Sequence, residues 1–219
     1  MKTIDLGKVV FLLFIAVLSG CANNIADPDK YSGYIGDYSN LEEYKTASGT
    51  DVLRWVAPGF SIEKYDDIYF NDIVYYPEPK PSTQVGKEVL DKLLSYSNIK
   101  IKDAISKRKK LTATPGDKSL IFKGAITGVN ASQQGLQFYE VVPVALLVAS
   151  TQMMTGHRTM DTSLFLEGEL IDAKTNKVVL KFVRKQSGNN IKNENTPVKL
   201  QDFRNAINKI TYDIEKMNI

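Results

Sequence analysis

The chain has 219 residues, among them 28 Lys and Arg, 25 Asp and Glu, one His and one Cys. A lone Cys excludes an intramolecular disulfide, and with a lone His it cannot furnish the ligand set of any usual zinc site. A net charge of +3 is too mild for a dedicated nucleic-acid binder, while 43% apolar and 24% charged residues suit an ordinary globular domain.

Residues 1–20 read as a removable leader. Lys2 and Lys8 give a positive start, and Val9 to Leu18 is an unbroken run of ten apolar residues. That is the length of a signal-peptide core, typically about 7–15 residues. As a helix it would reach about 15 Å, half of a hydrocarbon core of about 30 Å, too short for a stable span. Leu18, Ser19, Gly20 and Cys21 then look like a bacterial lipobox. In proteins resembling this, cleavage falls between Gly20 and Cys21, the Cys21 thiol takes a diacylglyceryl group, and the freed amine is acylated, with palmitate the expected label. One acyl chain holds only weakly, and two or three anchor firmly. The alternative is an ordinary secreted protein. The second mature residue is Ala22; an Asp there tends to hold Gram-negative lipoproteins in the inner membrane. The expected place is therefore the outer membrane, on its periplasmic face.

The leader carries two Lys and one Asp, which leaves a mature chain of 199 residues with 26 basic and 24 acidic side chains. Residues 21–30 read as lipid anchor and tether; fully stretched, the nine residues after Cys21 span about 30 Å. Residues 31–219 read as one α+β domain. Tyr31 to Leu41, with two Gly and three Tyr, reads as an ordered irregular segment packed on the domain by its aromatics. A turn over 47–51 leads into a strand over 52–56, stopped by Pro58 and Gly59. Residues 67–76 are rich in β-branched and aromatic side chains and read as one strand, broken by the prolines of 77–81. Ser82 or Thr83 would cap a helix to about Tyr96, with Val85, Val89, Leu93 and Tyr96 on its apolar face. Residues 99–110 continue it, or run extended, to a basic end. A turn at Pro115 and Gly116 precedes a strand over 119–129. Residues 162–172 and 177–185 pair as a hairpin, 186–199 form a polar loop, and 200–217 make an amphipathic helix with Leu200, Phe203, Ile207, Ile210, Ile214 and Met217 on one face. The architecture expected is a mostly antiparallel sheet packed by two or more helices.

The segments SGYIGDYSNL (32–41), LRWVAP (53–58), YDDI (65–68), Pro115 with Gly116, AIT (125–127) and LEGELID (166–172) occur in an order and spacing that resembles a group of Gram-negative lipoproteins, catalogued as domain of unknown function 3313. The likeness covers nearly the whole mature chain. One departure is Thr175 followed by Asn176, where relatives tend to have Thr-Gly; Asn also tolerates a left-handed turn, so the hairpin survives. The resemblance implies an envelope lipoprotein domain and brings no activity, cofactor or catalytic residue.

Five features invite chemistry. His157 would have to serve any Ser-His-Asp arrangement, yet no GxSxG elbow accompanies it, and a loop His is the simpler reading. Glu167 and Glu169 would share one face of a strand about 7 Å apart. They could act as the paired carboxylates of a cell-wall hydrolase, or form a charge ladder with Lys181 and Lys185 on a solvated face. Lys107 to Lys110 is a basic cluster that suits a helix end or anionic lipid head groups. Tyr139 to Met154 is the most apolar internal stretch, a core helix or an exposed element using Val144, Leu147 and Met153 to meet a partner. Residues 75–81 could be a polyproline-like recognition arm or a plain strand end and loop. No phosphate loop or dinucleotide fingerprint occurs. The reading is a lipid-anchored outer-membrane lipoprotein, attached to the membrane by its lipid, with a non-catalytic interaction domain and an envelope protein as partner. No cofactor, metal or nucleic acid is expected. The alternatives are a lipid- or hydrophobe-binding auxiliary domain of an envelope complex that uses Val141 to Met154, or a cell-wall hydrolase with Glu167, Glu169 or His157 involved.

Overall fold

The computed structural model describes residues 31–82, 84–133, 160–192 and 196–219. Among them eight strands form one sheet and two helices cover one of its faces. The strands are β1 (Glu42–Lys45), β2 (Asp51–Val56), β3 (Asp67–Phe70), β4 (Val74–Tyr75), β5 (Leu111–Thr112), β6 (Ser119–Gln133), β7 (Met160–Asp172) and β8 (Lys177–Ile191). The helices are α1 (Lys87–Ser106) and α2 (Leu200–Lys216). The strand order is β1-β2-β8-β7-β6-β3-β5, with β4 also on β6 beyond β3. From β1 to β6 every pair is antiparallel, and β3, β4 and β5 join in parallel. The expected α+β class and mostly antiparallel sheet are observed.

The central ribbon is β6, β7 and β8. The β7–β8 hairpin turns at Asn176, whose φ of 55° is the left-handed conformation an Asn accepts. Alternation along β7 sends Leu164, Leu166 and Leu170 to the helix face and Phe165 and Glu167 to the other. The helix-face core unites these leucines with Leu120, Phe122, Ile126 and Leu180, with Leu90, Leu93, Ile101 and Ile105 of α1, and with Phe203, Ala206, Ile207 and Ile210 of α2. The inward residues of both helices recur at three and four positions, as an amphipathic face requires.

Three expectations on element boundaries change. Residues 67–76 are two short strands, not one. The 71–73 step drops Ile73 into the core at 1% exposure, and Asn98 of α1 takes over the pairing there: its Oδ1 accepts from Ile73 N at 2.7 Å and its Nδ2 donates to Ile73 O at 3.0 Å. Helix α1 starts at Lys87, because Ser82 and Val85 close a local turn by mutual hydrogen bonds that buries Val85 first. Residues 186–191, expected in a loop, extend β8. Despite their polarity they lie against the start of α2, and a Cβ on Gly188 would come within 2.2 Å of Asp202 O.

Candidate functional site

Between the sheet and the helices the packing leaves a cavity of about 340 Å³. Its walls are Ile62, Ile68, Phe122, Leu166, Leu170, Leu180 and Phe182 from the sheet side and Ile101, Ile105, Ile210 and Ile214 from the helices. Its exposed lining residues, Lys45, Ala47, Lys216 and Asn218, mark the rim, where the β1–β2 turn meets the end of α2. A glycine explains part of the floor. Gly168 faces the helices between Leu166 and Leu170, and the ring of its cross-strand partner Phe182 lies where a Cβ would go, with Cζ 2.7 Å from that position. The volume falls within the ~300–1,000 Å³ range of small-molecule sites, and such sites are mostly apolar with a few placed polar groups.

The polar groups are placed by strand alternation. On β8, Leu180, Phe182 and Arg184 point to the helix face, and on β2 so does Arg54, whose register partner is Phe182. Arg184 is 5% exposed and Asp213 of α2 6%. Arg184 Nη2 donates to Asp213 Oδ2 at 2.6 Å and to Gln186 Oε1 at 2.5 Å, while Ser48 donates to Asp213 from its N at 2.6 Å and its Oγ at 2.8 Å. Burial pulls the Arg184 guanidinium below its ordinary pKa, partly offset by Asp213. Arg184 Nε remains buried without a hydrogen-bond partner, and so does Arg54 Nη1. The Arg54 guanidinium lies 3.4 Å from the Tyr44 ring centroid. None of these residues stood out in the sequence reading. The signal was there in period two: Arg184 continues the buried face of Leu180 and Phe182, and Asp213 borders the apolar stripe of α2 beside Ile210 and Ile214.

Glu167 and Glu169 part company. The solvated charge ladder expected for them is overturned at Glu167, which has no exposed surface. Residues 31–41 fold over this face of the sheet and bury it, with Tyr31, Ile35 and Leu41 packed on Leu53, Phe165 and Val183. Tyr38 Oη donates to Glu167 Oε2 at 2.5 Å and Ser32 N to Oε1 at 3.4 Å, with the Tyr31 ring stacked on Tyr38 at 4.1 Å. Burial first, then the bond to Glu167, pushes the Tyr38 phenol well above its usual range. Glu167 thus clamps the segment to the sheet, with Val183 and not a lysine opposite it on β8. Glu169 does lie opposite Lys181, but Lys181 Nζ binds Asp37 Oδ2 and O, each at 2.8 Å. Burial raises the Glu169 pKa, opposed by Lys123 and Lys181.

The basic cluster after α1 is a helix junction. Lys107 reaches Glu215 at 2.9 Å and Asp103 at 3.1 Å, Arg108 donates to the Glu215 carbonyl at 3.3 Å, and Lys109 lies 3.5 Å from Glu63. Cations thereby meet the carbonyl end of α2. Gly20, Cys21, Val144, Leu147, Met153 and His157 lie outside the described residues.

Comparison with known proteins places the chain. The family model "Protein of unknown function (DUF3313)" matches residues 30–214. "Uncharacterized lipoprotein YdcL" of Escherichia coli (strain K12) is 55% identical over 219 residues, covering 100% of this chain and 99% of that protein, and the protein of the same description in Escherichia coli O157:H7 matches equally. Among solved structures, the PelC dodecamer from Paraburkholderia phytofirmans overlaps 75% of this chain and 91% of its own, at 12% identity and a TM-score of 0.32, too low to carry anything about function. The chain belongs to the DUF3313 family of Gram-negative lipoproteins of unknown function.

Proposed function

We propose that this lipoprotein is a non-catalytic, hydrophobe-binding auxiliary domain of the cell envelope, held by acyl chains on Cys21 at the periplasmic face of the outer membrane. The observation that carries the reading is the cavity of about 340 Å³ between sheet and helices, walled by aliphatic and phenyl side chains and open at one rim. An empty apolar space of that size forfeits dispersion contacts and lowers stability, so its retention suits an occupant. The two glutamates that could have formed a hydrolytic pair favour the non-catalytic reading: the carboxylate of Glu167 is fully buried and engaged by Tyr38 and Ser32. The lipobox and Ala22 support the anchor and the location.

The test is photolabelling of the full lipoprotein in a nonionic detergent with a long-chain alcohol carrying a terminal diazirine, followed by peptide mapping. Labels are expected to concentrate on Ile101, Ile105, Ile210 and Met217. Met217→Trp at the rim and Ile105→Phe inside should each reduce them several-fold while the far-UV circular dichroism stays unchanged. Labels spread evenly over the surface, indifferent to both substitutions, would refute the site.

A further inference from the structure

The geometry points to a specific class of occupant for this cavity: a single-chain carboxylate, a fatty acid whose head group is received by Arg54 and Arg184. The inference takes the cavity as a hydrophobe site, as proposed above, and adds the charge of the ligand.

Two facts carry it. The first is unmet hydrogen-bonding capacity. Arg54 and Arg184 both line the cavity, and each keeps one buried guanidinium nitrogen, Nη1 and Nε respectively, that has no acceptor. Buried N–H groups without acceptors are rare in folded proteins. An oxygen-rich head group supplies what they lack, and a planar carboxylate matches the guanidinium fork better than any neutral group. The register brings the two together. Leu53 pairs with Val183 and Arg54 with Phe182, which makes Arg54 and Arg184 diagonal neighbours on one face. Side chains so related stand about 7–8 Å apart at their origins, a span that two long guanidinium arms close around one carboxylate.

The second fact is the sign of the surroundings. The charged side chains lining the cavity are Lys45, Arg54, Arg108, Arg184 and Lys216 against a single carboxylate, Asp213. Asp213 already accepts from Arg184 and from both donors of Ser48. Lys45 is engaged by Asp51 at 2.6 Å. That leaves the basic side chains of Arg54, Arg108 and Lys216 around an apolar interior, the arrangement that holds an anionic head outward and an acyl chain inward. The volume, near the lower bound for ligand sites of about 300 Å³, fits one chain and not the two of a membrane phospholipid.

The experiment repeats the photolabelling of the full lipoprotein in nonionic detergent with two probes of equal chain length, a diazirine fatty acid and the matching diazirine alcohol. The variants are Arg54→Gln, Arg54→Lys and the parent. Arg54 is half-buried and outside the Arg184–Asp213 pair, so its replacement spares the main buried ion pair, and Arg54→Lys retains the charge. Labelling of cavity residues by the acid should fall about tenfold in Arg54→Gln, the effect of losing one charge-assisted hydrogen bond. It should fall less in Arg54→Lys, and labelling by the alcohol should not change. Equal cavity labelling by acid and alcohol, with Arg54→Gln affecting neither, overturns the carboxylate assignment and leaves the hydrophobe site standing. Absence of cavity labelling by both probes overturns the two together.

Discussion

Arg184 and Asp213 illustrate how much one residue pair decides. The two charges face each other at 2.6 Å across the boundary between β8 and α2, each almost fully buried. Removing one partner of a buried pair typically costs about 3–5 kcal/mol, because a charge is left without compensation, whereas replacing both by apolar groups is often near neutral. Asp213→Ala is therefore expected to destabilise by about that amount, stranding Arg184 together with the two donors of Ser48. The double variant Arg184→Met with Asp213→Leu should recover most of the loss. Urea unfolding followed by circular dichroism reads both, and a double variant no more stable than the single one would mean that the pair contributes through Ser48 and Gln186 instead. The position of Arg184 was legible in the sequence, since strand alternation from Leu180 sets it on the apolar face. Its partner was not. Asp213 lies 29 positions further along the chain, beside a helical stripe that an acidic residue would ordinarily border in solvent. Only the docking of α2 onto β8 turns two marginal positions into one buried contact. The burial of Glu167 is hidden in the sequence for a related reason: its strand face mixes Phe165 with Ser163, Glu167 and Glu169, and nothing local shows that residues 31–41 return to cover it.

At the scale of elements, the long periodic pieces were read correctly and the joints were not. The 162–185 hairpin and the 200–217 helix follow from alternation and from apolar spacings of three and four, and both are present with nearly the expected bounds. The end of β8 escaped because 186–191 is a run of polar and small residues, with no β-branched side chain before Ile191. What makes it a strand is the neighbour it pairs with, Met160 and Asp161 opposite Ile191 and Asn190, and the helix that lands on it. Gly188 is the point of closest approach. A Cβ there would lie 2.2 Å from Asp202 O and 2.5 Å from Thr162 Oγ1. Thr162 Oγ1 also donates to Asn189 O at 2.7 Å, so it has little freedom to withdraw. Gly188→Ala should consequently push the first turn of α2 off the sheet, at a cost of about 1–3 kcal/mol as for other overpacked sites. Gly116→Ala is the matched control, because its Cβ would meet nothing nearer than 4.0 Å. The midpoint of urea unfolding should drop for the first and scarcely move for the second. Equal midpoints would show that α2 can shift without loss, and that its position is not set by this contact.

On the scale of the whole molecule, the proposed lipid anchor bears on how the domain presents its cavity. The chain enters the described domain at Tyr31, which packs on the sheet face opposite the helices, while the cavity opens at the other face. A domain of this size has a radius of gyration of about 16 Å, hence a width near 40 Å. The nine residues between Cys21 and Tyr31 reach about 30 Å when stretched. In the proposed reading, tether and domain are thus of similar dimension, and the domain could turn far enough for its rim to approach the leaflet that would hold its lipid. Which leaflet that is depends, in the proposed reading, on two adjacent residues. Cys21 supplies the thiol for acylation, and Ala22 lacks the carboxylate that tends to retain lipoproteins in the inner membrane. Cys21→Ser should abolish incorporation of labelled palmitate, because no thiolate is left to accept the diacylglyceryl group. Ala22→Asp should leave that incorporation intact and move the protein, on density-gradient separation of envelopes, from the outer-membrane to the inner-membrane fraction. The two variants separate attachment from sorting. Loss of palmitate in Cys21→Ser together with unchanged sedimentation of Ala22→Asp would keep the anchor and remove the sorting rule, and with it the ground for placing the cavity beside the outer membrane.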